Sequence, residues 1–478
     1  MASNKTLNAS NLEALGAARL AALLMEISEG NAAAKRRLRL ELAGARSPAE
    51  LVKEIRKRLA TIARSRSFVD WQNRKVLVDD LEAQRRAIAD HVAKSMPAEG
   101  LELMWRFLDL ASPVLGRCDD SNGTISGIFQ TAVGDLGEIA RSTRTDPKQL
   151  GDQVFNALTR NDYGQFDHLI QALKPALGQA GLEHLKQRMV ALSAEPVRRP
   201  TEKERRVVAW GSSGPMYADE IAERARVSTI RLALQEIADA QGDVDAFVAQ
   251  YDKLTRRVPK IAAQITERLL AAGRAEEAWR TIEAAEHRQA GWPDFDWEDA
   301  RIDVLEALGR GDEAQAARWS CFERSLSARH LRAYLKRLPD FDDFEAEERA
   351  LGHAERYGDL LQAVSFLVSW PSLDRAARVV TERAKELDGN HYEILTPAAD
   401  SLAGKYPLAA TLLLRAMIDF TLTQARSSRY GHAARHLRTC GSLAPVIPDF
   451  GICETHEAYV SKLRVEHGRK TAFWGLTS

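Results

Sequence analysis

The sequence predicts an all-α protein, an α-solenoid of stacked helical hairpins that is tetratricopeptide-like and elongated or curved. Three observations predict it. Apolar residues recur at three- and four-residue steps along nearly the whole chain, the period of one helix face. Strand signals are almost absent: Val207-Val208-Ala209-Trp210 is an isolated run with nothing to pair with, so helix or loop is expected there. Finally, Leu269, Gly273 and Ala278 are matched by Leu305, Gly309 and Ala314, about 36 residues on, the spacing of helix–turn–helix repeats. One hairpin cannot bury its apolar face alone, so neighbours stack and the stack grows as an array.

The elements follow in order. Leu12, Leu15, Leu20, Leu23, Leu24 and Ile27 form one apolar stripe, with Asn11 as its expected cap. Ser47-Pro48-Ala49-Glu50 combines a cap, a Pro at the first helical position and an acid in the first turn, and Leu51, Ile55, Leu59 and Ile62 continue it as a helix. The same signature recurs at Ser95-Met96-Pro97-Ala98-Glu99 and at Asp146-Pro147. Glu195-Pro196-Val197-Arg198-Arg199-Pro200 and Gly211-Ser212-Ser213-Gly214-Pro215 bracket a charged segment and read as a hinge. The expected organisation is an N-terminal helical domain at 1–195, a linker at 196–216 and a helical-repeat domain at 217–478. Later hairpins are punctuated by Tyr357-Gly358-Asp359, Trp370-Pro371-Ser372, Tyr406-Pro407 and Arg429-Tyr430-Gly431-His432. Gly468 is expected to end the last long helix.

Composition limits the function classes. The chain has 478 residues, with 67 Lys+Arg against 67 Asp+Glu, so global charge favours neither nucleic acid nor an acidic membrane. Cys118, Cys321, Cys440 and Cys453 are scattered, which fits a reducing compartment. The opening residues lack the apolar core of a secretory signal, and the apolar run from Leu408 to Met417 is broken by Arg415, well short of the roughly 20 residues of a membrane span. A cytoplasmic protein that does not enter a membrane is expected.

Several segments carry a family likeness. Leu20-Ala21-Ala22-Leu23-Leu24-Met25-Glu26-Ile27 running into Lys35-Arg36-Arg37-Leu38-Arg39-Leu40-Glu41 resembles the opening of a family of bacterial all-helical proteins defined by a domain of unknown function. Phe68-Val69-Asp70-Trp71, Tyr406-Pro407-Leu408-Ala409-Ala410, the run from Arg429 to Leu437 and the tail from His467 to Trp474 resemble it too. The resemblance implies a helical fold over most of the chain. More distantly, the helical part is similar to the repeat regions of SWIM zinc-finger proteins, but the Cys-x-Cys that opens their zinc element has no counterpart here.

Two constellations bear on chemistry. His432, His436 and Cys440 fall at i, i+4 and i+8 on one helix face, and Cys453 and His456 follow after a Pro/Gly-rich loop; four of these five have the ligand types of a tetrahedral zinc site. The alternative is a packed Cys with solvated His residues. The segment Glu220-Ile221-Ala222-Glu223-Arg224-Ala225-Arg226-Val227-Ser228 resembles the start of a DNA-binding helix-turn-helix, although Arg226 stands where Gly usually makes the turn. Residues 1–100 carry 18 Lys/Arg against 12 Asp/Glu, and the basic set includes Lys35, Arg36, Arg37, Arg39, Arg56, Lys57, Arg58, Arg64 and Arg66. Solvated helix faces are the leading reading of that set, with nucleic-acid association as an alternative. The acids around Phe341 and those around Trp292 and Trp297, Asp294, Asp296, Glu298 and Asp299, read as helix starts. There is no Gly-rich phosphate loop, Gly-x-Ser-x-Gly elbow or His-Glu-x-x-His.

The expected function is therefore that of a non-enzymatic helical-repeat scaffold, without cofactor, binding a protein or peptide. A zinc-bound or zinc-stabilised protein is the alternative.

Overall fold

Start signals in the sequence become helix N-termini wherever a side chain reaches the free amides. In the computed structural model, which describes residues 7–72, 74–196, 200–201, 204–211, 214–286 and 292–477, the Ser47 hydroxyl accepts from the Glu50 amide at 3.2 Å, and Pro48 opens the helix Pro48–Arg64. Asp146 caps Pro147–Leu158 and Asp294 caps Phe295–Ala307 in the same way. Two expected caps differ. Asn8, not Asn11, caps a short helix, Ala9–Glu13, and the stripe helix begins only at Ala17. The Ser95 hydroxyl bonds back to the His91 carbonyl at 3.0 Å, so it finishes the preceding turn and does not start the next helix. Residues 1–6, with most of the N-terminal reading, and Val197-Arg198-Arg199, Glu202-Lys203 and Ser212-Ser213, all parts of the expected hinge, lie outside the described residues.

The described chain is mostly helical and forms two compact units, 1–252 and 253–478. In the first, the helices Pro48–Arg64, Pro97–Leu108, Thr124–Arg141 and Leu169–Ala194 bury Ile55, Leu103, Phe107, Phe129, Leu136, Leu173 and Leu185 in one core. Phe107 and Phe129 pack with ring centroids 5.4 Å apart. A π-helical turn, Ala87–Val92, follows Arg74–Arg86 and buries Ile88 and Val92.

The expected helix or loop at Val207–Trp210 is corrected to a strand. Strand β1 (Val207–Gly211) pairs antiparallel with β2 (Gly214–Tyr217), Trp210 opposite Pro215 and Gly211 opposite Gly214. The sequence hid the partner because Pro215 has no amide to donate, a deficit that a two-stranded hairpin tolerates at an edge. Arg205 stacks over the Tyr217 ring at 3.6 Å and pairs with Asp219 and Glu220, tying the hairpin to the helix that follows.

That helix, Ala218–Gln241, is continuous and sends Ala233, Ile237 and Ala240 into the core of the first unit. Dense packing therefore divides at Asp252/Lys253, whereas the sequence reading put the break at 196–216. Linker composition does not reveal the burial of those three residues.

In the second unit, helices pack against their sequence neighbours. Pro259–Ala271 lies against Ala275–Glu283 and Phe295–Ala307, and Phe295–Ala307 against Gly311–Ser325. The matched Leu/Gly/Ala triplets adopt one geometry. Gly273 and Gly309 take φ of 75° and 72°, a left-handed conformation that closes each helix, and the amides of Arg274 and Arg310 donate to the Leu269 and Leu305 carbonyls, both at 2.8 Å. Each Arg then grips the Glu three residues on with two bonds, Arg274 to Glu277 and Arg310 to Glu313. The closure recurs where the sequence disguises it: Ser372 donates to the Leu367 carbonyl at 2.9 Å, with Pro371 at positive φ. Ala278, Ala314 and Ala376, each four residues beyond the donor, are fully buried. Further on, Tyr392–Leu402, Pro407–Thr423, Tyr430–Leu443 and His456–His467 enclose Leu395, Leu413, Ile418, Leu437 and Tyr459. Among the described residues no helix is long and apolar enough to cross a membrane.

Candidate functional site

The five His/Cys residues lie on two helices and the loop between them. His432, His436 and Cys440 sit on Tyr430–Leu443, as their spacing requires; His432 is exposed, His436 half-buried and Cys440 fully buried. The Cys440 thiol faces the Thr411 carbonyl at 4.0 Å, and burial pushes its pKa up to about 12. Cys453 lies in the loop before His456–His467, and the His456 ring packs against Gly441. Among the described residues no group of three or more His, Cys, Asp or Glu side chains is placed to hold a metal ion. The helical face was legible. What spacing could not reveal is that the same face turns Cys440 into the core while His432 faces solvent.

A different polar cluster occupies this region, and the sequence reading did not single it out as a site. Pro407–Thr423 is the most apolar long helix of the unit, yet it carries Arg415 at only 6% exposure. Arg415 Nη1 donates to the Glu454 carbonyl at 2.8 Å, and the guanidinium lies 4.4 Å from the Tyr459 ring centre. Its Nε and Nη2 are buried and bond to nothing among the described residues, as are Thr411 Oγ1, one turn earlier, and His456 Nδ1. No carboxylate among the described residues forms an ion pair with Arg415; Asp419, one turn on, accepts instead from the Tyr459 hydroxyl at 2.7 Å. Burial raises the Asp419 and Tyr459 pKa values, and burial followed by the Arg415 charge lowers that of His456. A buried donor without an acceptor costs about 1–3 kcal/mol, and more when charged. Arg415, Asp419, Cys453, Tyr459 and Lys462 contribute to the wall of an adjoining groove of about 560 Å³. The one sequence signal was the Arg that interrupts the apolar run.

The other sequence candidates resolve differently. The helix-turn-helix resemblance does not carry into the structure: Ala218–Gln241 has no turn at Arg226, whose Nη2 instead donates to the Leu192 and Glu195 carbonyls and closes the C-terminus of Leu169–Ala194. Of the basic N-terminal set, Arg36 and Arg58 pair with Asp80, Arg37 with Glu41, and Arg56 with Glu99 and Glu102. The expected acid-rich helix starts are found: Asp296 and Glu298, and Asp342, Asp343 and Glu345, lie in first turns.

Among the described residues, the apolar face of one N-terminal helix is mostly exposed. Ala17–Ser28 buries only Ser28, leaving Leu24, Met25 and Ile27 at 47, 68 and 66% exposure and Leu20 and Leu23 half-buried. Trp279 and Trp319 are half-buried under cations instead: Arg310 lies 4.1 Å from the Trp279 ring centre and Arg349 lies 3.8 Å from that of Trp319.

No curated protein and no solved structure matches the chain, and no finding connects it with SWIM zinc-finger proteins. The family likeness read from the sequence does hold. A family model described as "Family of unknown function (DUF6880)" matches residues 2–476, nearly the whole chain, and the protein belongs to that family.

Proposed function

We propose that the protein is a non-enzymatic, cytoplasmic scaffold built from tetratricopeptide-like helical hairpins, and that it binds a protein or peptide partner. The repeated closure at Leu269, Leu305 and Leu367 supports the repeat reading, because the same hydrogen bond and the same buried Ala recur around different residues. The observation that carries partner binding is the uncovered face of Ala17–Ser28. Its leucines and isoleucine have the spacing of a helix meant to be buried, yet most of that face meets solvent.

The test compares wild type with Leu24→Glu/Ile27→Glu by quantitative co-purification from the native host. Both side chains are exposed, so the melting temperature is expected to stay unchanged while specific partners are lost. Equal capture by both proteins, or no partner enriched over a control bait, sinks the reading.

A further inference from the structure

We propose that the Nε–Nη2 edge of Arg415 is a binding site for an oxyanion, the carboxylate or phosphate group of a small molecule that occupies the groove beside it. Three observations lead there. The cation is more than nine-tenths buried with no carboxylate in ion-pair distance among the described residues, and buried charges are ordinarily paired. The unpaired atoms are Nε and Nη2, the two that present parallel N–H groups to two oxygens of one anion. The remaining guanidinium nitrogen is fixed by the Glu454 carbonyl, and the Tyr459 ring lies 4.4 Å from the guanidinium, so the fork is held in place before any ligand arrives.

The surroundings favour an anion over water alone. Thr411, one turn before Arg415, and His456, two residues after Glu454, also carry buried polar atoms without partners, Oγ1 and Nδ1, and both can donate, although neither residue lines the groove. Water would satisfy the donors only; an oxyanion would also add negative charge beside them. Asp419, one turn on, acts on Arg415 through its charge but is engaged by the Tyr459 hydroxyl and makes no ion pair with the guanidinium among the described residues. The groove's volume of about 560 Å³ is that of a small-molecule site. Lys462 at its wall is partly engaged by Glu454 at 3.5 Å and offers a second positive charge. Segment 448–454, non-helical and ending at the Glu454 carbonyl, lies beside the guanidinium, with the Phe450 ring centre 5.8 Å from it. This inference is independent of partner binding through Ala17–Ser28, and its failure leaves that reading untouched.

The experiment titrates the full-length protein separately with inorganic phosphate and with succinate, at constant ionic strength, following melting temperature and calorimetric heat. Saturable stabilisation by one or both is expected, and which of them binds identifies the anion. Arg415→Lys keeps the charge but loses the fork, and is expected to bind about tenfold more weakly or worse. If that variant does not fold, Lys462→Gln, on the groove wall, is expected to weaken binding without changing the melting temperature of the ligand-free protein. No saturable binding of either anion by wild type, or equal binding by wild type and Arg415→Lys, overturns the proposal. So does a crystal structure grown in phosphate or succinate that shows only water at the Nε–Nη2 edge.

Discussion

At Gly389 the backbone of one turn runs directly against a helix: a Cβ there would fall 1.9 Å from the Ala416 carbonyl oxygen. Gly389→Ala is expected to destabilise the protein by about 1–3 kcal/mol, since backbone must move to admit it. Chemical denaturation checks this, with Gly431→Ala as control: a Cβ at Gly431 meets nothing within 4 Å, and that variant is expected to be neutral or slightly stabilising. Two histidines give a pH dependence. Burial lowers the pKa of His436, helped by the charges of His432 and Arg435, and burial with Arg415 lowers that of His456, both from an ordinary 6.5. The unfolded chain therefore takes up these protons first as pH falls. Stability is expected to decline as pH drops below about 6.5 and on through the lowered folded-state values. Melting temperatures across that range measure it, and His436→Gln/His456→Gln should flatten the slope; an unchanged slope assigns the effect to other groups.

At the scale of elements, the left-handed closure is the recurrent device of the second unit. Gly273 and Gly309 have open space where a Cβ would go, so only backbone strain opposes a side chain. Gly273→Ala and Gly309→Ala are each expected to cost about 1 kcal/mol, and the double variant about the sum. A neutral result at either position, measured by urea unfolding, would show that the closure contributes nothing there. Pro371 and Ala425 occupy positive-φ sites without glycine, and the amides that follow them donate to the Leu367 and Thr421 carbonyls, so the sequence pattern found two closures and missed these. The hairpin at β1 and β2 was missed for a related reason. A Pro-Met-Tyr strand is recognisable only once its partner is in place, because strand pairing is a non-local relation.

For the whole molecule, the two cores make separate folding predictions. A fragment ending at residue 252 keeps Ile237 and Ala240 in their core, whereas one ending at 205 removes Ala218–Gln241 from it. The longer fragment is expected to unfold cooperatively, and the shorter one to melt lower or aggregate. Circular dichroism and thermal melts of the two decide; equal stability would return the boundary to 196–216. The basic N-terminal half likewise changes meaning at this scale, because Asp80, Glu99 and Glu102 come from distant positions to meet Arg36, Arg58 and Arg56.

The sequence by itself determined that the chain is helical, where several helices begin, that the Leu269 and Leu305 segments share a turn, and which family it resembles. Each of these is a local property: periodicity, caps and spacing act within a few residues. Only the tertiary structure decided that Cys440 turns inward away from His432, that Arg226 closes a neighbouring helix, that Ala17–Ser28 goes uncovered and that Arg415 is buried with an edge unpaired. Those depend on which surfaces meet, and a helical stripe states only that one face prefers burial, not what arrives to cover it.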